Sequence, residues 1–193
     1  MTKQISDTLL YEGSVYFLND DLLEKYFIEF PDKMPDFEVI SSDLWKGYSA
    51  EYKIKEGQLF INKLKVLARE AYRMRSVLKE VFPNDTKMEW FSGLIRIDDF
   101  KGEFALEPEE AIFEYLEIYK GNYVQKRIFD FSQLQDFKKA QFEHLIASDE
   151  MPSMYELWHK IHAADKYYKE MDLKAINQDI ADNILYYSEK VYV

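Results

Sequence analysis

The sequence predicts an α+β fold, a largely antiparallel β-sheet domain of seven to nine strands with two or three C-terminal helices. Three observations predict it. Residues 1–131 carry short strand-like runs punctuated by Gly, Pro, Asn and Asp. Residues 132–193 contain no glycine and one proline, and their apolar residues return at helical spacing. Strands gathered first and helices last point to segregated layers rather than an alternating parallel-sheet fold. At 193 residues the chain can bury one proper core, so the β-rich region (1–131) and the helical region (132–193) are expected to pack as one domain.

Taken in order, Thr8–Tyr11 and Val15–Leu18 flank Glu12-Gly13 and read as an opening hairpin. Asn19 and Asp20 are placed to cap a short helix through Leu22, Leu23, Tyr26 and Phe27, which Pro31 ends. Phe37–Ile40 reads as a short strand. Tyr48, Ala50, Tyr52 and Ile54 then alternate with Ser49, Glu51, Lys53 and Lys55, the period-two pattern of a half-buried strand. Glu56-Gly57 supplies the positive φ of a tight hairpin. A two-residue loop there sets Ile54 opposite Leu59 and Tyr52 opposite Ile61; a one-residue slip turns the apolar set to solvent.

Beyond Ile61 the pattern predicts a strand to about Leu67, an irregular segment, and a helix from Ser76 to Phe82 that stops before Pro83. A longer helix from about Lys65 is the alternative, so residues 63–75 stay open between strand and helix. Met88–Ile97 reads as a strand with a bulge at Gly93. A turn at Asp98–Gly102 leads to a strand at Glu103–Leu106, and a last hairpin turns near Lys120-Gly121. Tyr119-Lys120-Gly121 echoes Trp45-Lys46-Gly47, but over too short a window to establish a duplication.

In the helical region, Ser132 with Gln135 resembles a capping box. Leu134, Phe137, Gln141 and Leu145 share one face of a helix reaching about Ser148. Ser153 with Glu156 opens a second helix, with Met154, Leu157, Trp158 and Ile161 as its apolar stripe. Asp172 caps a third, carrying Leu173, Ile176, Ile180, Ile184 and Tyr187.

Composition narrows function more than it defines it. Aromatic residues make up 17%, with 15 Tyr and 14 Phe, which suits both sheet faces and partner surfaces. The net charge of -11 argues against nucleic acid, because phosphate neutralisation needs a basic stripe. The nearest cationic run, Arg69–Lys79, is broken by apolar residues and reads as a solvated face. Cysteine is absent, which excludes disulfides, thiol catalysis and Cys-ligated zinc. The N-terminus lacks the apolar run of a signal peptide, and no stretch approaches the ~18 apolar residues of a membrane span. A cytoplasmic location is expected.

The segments LLYEGSVYFLNDDLLEKYF, DLWKGYSAEYKI, GQLFI, VFP and WFSGLIRI together resemble a family of uncharacterised bacterial proteins. That family shows an aromatic-Arg/Lys-Gly-Tyr strand followed by a Trp-Phe-Ser-Gly strand and a Tyr-rich hairpin. The likeness covers roughly residues 8–130 and leaves out the helical tail. The family's usual cation after the tryptophan is arginine, whereas this chain has Lys46. The resemblance implies a β-rich fold and bacterial origin, and no activity.

Two constellations carry candidate sites. Trp45, Lys46 and Tyr48, with Trp90 and Phe91, suit an aromatic-lined binding surface, or equally the framework of a strand start in which Lys46 covers an aromatic face. In the tail, His144, His159 and His162 fall within 19 residues, and Glu156 begins E-x-x-H-x-x-H. Neighbours three apart on a helix can share a divalent metal, although Glu156 and His162 diverge around it. No Gly-rich phosphate loop or Gly-x-Ser-x-Gly elbow is present, and Ser92 has no histidine near it in sequence. The leading expectation is a non-enzymatic protein-binding module without a cofactor, such as an immunity or inhibitor protein that neutralises a basic partner. A metal-dependent enzyme or small-molecule binder using His144, Glu156, His159 and His162 is the alternative, and a homo-oligomer stays open.

Overall fold

Hairpin turns of one kind set the order of the sheet. The computed structural model describes residues 5–37, 42–68, 73–97 and 110–193. Its strands are β1 (Asp7–Tyr11), β2 (Ser14–Leu18), β3 (Tyr48–Lys55), β4 (Gln58–Ala68), β5 (Arg73–Ser76), β6 (Gly93–Arg96), β7 (Phe113–Tyr119) and β8 (Asn122–Phe129). Glu12-Gly13, Glu56-Gly57 and Lys120-Gly121 join β1 to β2, β3 to β4 and β7 to β8. All six turn residues have φ between 48° and 80°. Two positive φ values in a two-residue loop match the right-handed twist of the strands they connect. Lys120-Gly121 therefore corresponds to Glu12-Gly13 and Glu56-Gly57, and not to Lys46-Gly47, which leads into β3.

The strands form one eight-stranded sheet in the order β2-β1-β3-β4-β8-β7-β6, with β5 on β4. β1 and β3 run parallel; the other described pairs are antiparallel. Ile54 pairs with Leu59 and Tyr52 with Ile61, as the apolar alternation requires, and a bulge follows between Glu51 and Tyr52.

β4 and β8 pair only at Gln58 and Asn122. Farther along, β4 turns to other partners: the Ile61 N–H donates to Thr86 O, the Met88 N–H to Leu59 O, and β5 takes the end. The sheet thus splits into two leaves that face each other. Leu9, Tyr52, Leu59, Ile61 and Leu64 of one leaf share a core with Ile95, Leu116 and Ile118 of the other. Strand alternation sends Leu94 and Tyr115 to the far side of the second leaf, where Leu134 and Phe137 cover them.

The helices are α1 (Glu24–Glu29), α2 (Leu78–Val81), α3 (Phe131–Ala147), α4 (Met151–Ile161), α5 (Lys166–Lys169), α6 (Leu173–Asp182) and α7 (Ile184–Tyr187). Leu134, Phe137, Gln141 and Leu145 are the buried residues of α3. Met154, Trp158, Ile176, Ile180, Ile184 and Tyr187 form a core between helices. Phe27 of α1 and Val81 of α2 close the core that the leaves share, while α3 covers the far side of the second leaf.

Several boundaries differ from expectation. Asp21, not Asn19 or Asp20, serves the start of α1, accepting the Leu23 N–H at 3.0 Å. The capping box sits at Asp130 and Gln133 rather than at Ser132 and Gln135, with the Asp130 carboxylate at the positive end of the helix dipole. β4 runs to Ala68, as the favoured strand to about Leu67 requires and against the alternative helix from Lys65, whereas β5 follows where an irregular segment was expected and α2 shrinks to one turn. Met88–Ser92 does not extend β6, since the Phe91 N–H folds back onto Met88 O. Residues 38–40 of the expected Phe37–Ile40 strand, and the expected Asp98–Leu106 turn and strand, lie outside the described residues.

Candidate functional site

The Trp45–Tyr48 stretch divides between solvent and interior. Trp45 is 73% exposed, while Tyr48 is 2% exposed and joins the sheet core. Between them, Lys46 turns inward to a polar cluster. Its Nζ lies 2.6 Å from Asp7 Oδ2 and 3.4 Å from Asp21 Oδ2, over the Tyr48 ring. Asp7 Oδ1 accepts the Ala50 N–H at 2.8 Å, and its Oδ2 accepts the Tyr52 hydroxyl at 3.3 Å. The Tyr48 hydroxyl donates to Asp21 Oδ2 at 2.6 Å.

Burial raises the Asp7 carboxyl above the usual carboxylate range; Lys46 opposes that shift and Asp21 adds to it. Burial, reinforced by the same carboxylates, pushes the Tyr48 and Tyr52 hydroxyls far above the phenol range. Two carboxylates, an ammonium and two phenols resemble an acid–base set, yet their hydrogen bonds point at one another. Asp21 lines a cavity of about 20 Å³, room for about one water. The cluster ties the start of β1 to β3.

Trp90 and Phe91 sit elsewhere, half-buried against the sheet core. Trp90 packs on Tyr26 at 4.7 Å between ring centroids. The Ser92 hydroxyl accepts the Lys120 N–H, a turn contact rather than a nucleophile's setting.

The histidines also separate. His144 is exposed on α3 and stacks on Tyr192. His159 is exposed beside Trp158, and Glu156 pairs with Lys160 at 2.7 Å. His162, at the end of α4, belongs to a network between helices. Asp179 Oδ2 accepts from Trp158 Nε1 at 2.7 Å and from the Tyr187 hydroxyl at 3.0 Å. Tyr187 Oη lies 2.8 Å from His162 Nε2. With that hydroxyl proton committed to Asp179, His162 Nε2 is the donor, which leaves that nitrogen no lone pair for a metal. Burial lowers the His162 pKa despite Asp179 and Asp165. Among the described residues, no group of three or more His, Asp and Glu is placed to hold a metal.

A larger cleft, of about 420 Å³, lies between α1, α4 and residues 187–192. Its charged groups are mostly matched: Lys160 with Glu156, and Lys190 with Glu150 at 3.5 Å. The Tyr192 hydroxyl donates to Glu150. Lys25 Nζ donates to Tyr187 O at 3.0 Å, and burial pushes its pKa down to about 8 against the pull of Glu189, Asp20 and Glu24.

Sequence reasoning missed Asp7 and Lys25. Asp7 had a readable signal, since Asp7, Leu9 and Tyr11 share one strand parity and the latter two are plainly core residues. Lys25 had none, because its partner Tyr187 O lies 162 residues away. Comparisons of the chain with protein-family models, curated proteins and solved structures give no match. Among the described residues, no helix is long and apolar enough to cross a membrane.

Proposed function

We propose that this chain is a non-enzymatic protein-binding module that engages a basic partner, in the manner of an immunity or inhibitor protein masking a cationic toxin or nuclease. The observation that carries this reading is the outer surface of the helical layer. Ile146, Tyr167 and Leu173 are each more than half exposed there, and the exposed carboxylates Glu143, Glu170 and Asp172 lie within three residues of them in sequence. Between α3 and α6, Phe142, Leu173, Lys174, Asn177, Gln178 and Ala181 line a shallow groove. Exposed aromatic and aliphatic anchors among charged neighbours suit protein recognition. The net charge of -11 would steer a cationic partner toward it.

The test is affinity capture from the native host, identification of the bound protein, and titration of the purified pair at rising salt. The expected partner is basic, its association slows as salt rises, and Y167A and L173A each weaken binding by roughly tenfold or more. An acidic partner, salt-independent association, or full affinity in both variants would count against the reading.

A further inference from the structure

Two half-buried charges beside the helical layer make no hydrogen bond or ion pair of their own among the described residues. Asp20, just after β2, and Lys138, on α3, line one cavity of about 220 Å³. Among the described residues, neither the Asp20 carboxylate nor the Lys138 ammonium makes a hydrogen bond or an ion pair. Burial is the largest influence on both, raising the Asp20 pKa and lowering that of Lys138. Arg96 and Lys25 only partly offset the first, and Asp182 the second. Each group is thus charged at a cost that nothing hydrogen-bonded to it relieves. Arg96 and Asp182 line the same cavity beyond ion-pair reach of Asp20 and Lys138, and its apolar walls include Leu94, Leu134 and Leu185.

We infer that this cavity is a binding site for a small zwitterion, a molecule with one ammonium and one carboxylate joined by a short apolar body. An anionic ligand would answer Lys138 and leave Asp20 facing a like charge; a cationic ligand would do the reverse. Only a ligand carrying both signs satisfies both groups. Its ammonium would pair with Asp20 and its carboxylate with Lys138, each through charge-assisted hydrogen bonds. The leucines would cover the link between them, the usual division of a small-molecule site into apolar walls and a few placed polar groups. The inference does not rest on the protein-binding reading.

Calorimetric titration with glycine, γ-aminobutyrate and ε-aminocaproate varies the charge separation, and butylamine and butyrate serve as single-charge controls. One member of the series is expected to bind saturably with a Kd of about 1 mM or lower. Both controls should bind at least about tenfold more weakly, and D20N and K138Q should each weaken the zwitterion by roughly tenfold or more. D20E and K138R should retain binding, which separates loss of charge from loss of fold. Absence of saturable binding across the series, controls as tight as the zwitterion, or unchanged affinity in D20N and K138Q would overturn the assignment.

Discussion

Lys46 Nζ stands 2.6 Å from Asp7 Oδ2, and Asp7 itself is 2% exposed. The pair joins β1 to the start of β3, 39 residues apart. Removing the lysine leaves a carboxylate in the core facing Asp21 and two phenols. K46M is therefore expected to lose roughly 2–3 kcal/mol near neutral pH, below the full cost of breaking a buried pair because Lys46 is partly solvated. Asp7 titrates above its ordinary value when folded, so its contribution to stability falls as pH rises through that interval. Without Lys46 its pKa rises further. The gap between wild type and K46M should open with rising pH and close toward acid, as read from urea unfolding at several pH values. A pH-independent gap would sink this account.

The Tyr48 hydroxyl donates to the same second carboxylate, Asp21, at 2.6 Å. Y48F keeps the ring in the core and deletes that bond, so about 1–2 kcal/mol should be lost. Y52F should cost less, because its bond to Asp7 is long at 3.3 Å. Equal losses in the two variants would show that ring packing, not the hydroxyls, decides the effect. The phenols also fix the alkaline behaviour. Both pKa values are raised in the folded state, so stability from these groups is present below the ordinary phenol pKa and falls as pH rises above it.

Lys25 is expected to titrate with a midpoint of about 8, followed through its side-chain NMR resonances. Between that value and the ordinary lysine value the unfolded chain holds more protons than the folded one. Stability from this group therefore rises with pH across that window. K25M should abolish the rise, and a midpoint near the ordinary lysine value would refute the burial assigned to its ammonium.

Strand pairing was legible because it depends on local patterning. Alternation plus Glu56-Gly57 fixed Tyr52 opposite Ile61, and one helical face fixed Leu134, Phe137, Gln141 and Leu145 as buried. The polar clusters were not legible, because their members meet only when distant elements pack. Lys46 meets Asp7 across a parallel β1–β3 contact that no hairpin encodes, and His162 meets Asp179 across two helices. The inward turn of Lys46 beside the outward Trp45 follows from the same tertiary pairing.

Three glycines with nearly equal φ separate backbone strain from crowding. Gly57, Gly47 and Gly121 have φ of 73°, 80° and 70°, so alanine at each incurs a similar left-handed penalty of about 1–2 kcal/mol. Their surroundings differ. A Cβ at Gly57 meets nothing within 4 Å, one at Gly47 comes 2.5 Å from the Phe37 ring, and one at Gly121 comes 2.6 Å from the Met88 carbonyl oxygen. A ring can swing aside, whereas Met88 is held by its N–H bond to Leu59 O, and Gly121 by bonds to Phe91 O and from the Leu59 N–H. Destabilisation should rank G57A below G47A below G121A, the last reaching about 3 kcal/mol or more once overpacking is added. Urea unfolding of the three variants measures the order. Equal losses would place the whole effect in φ and show that the close approach at Met88 adds nothing.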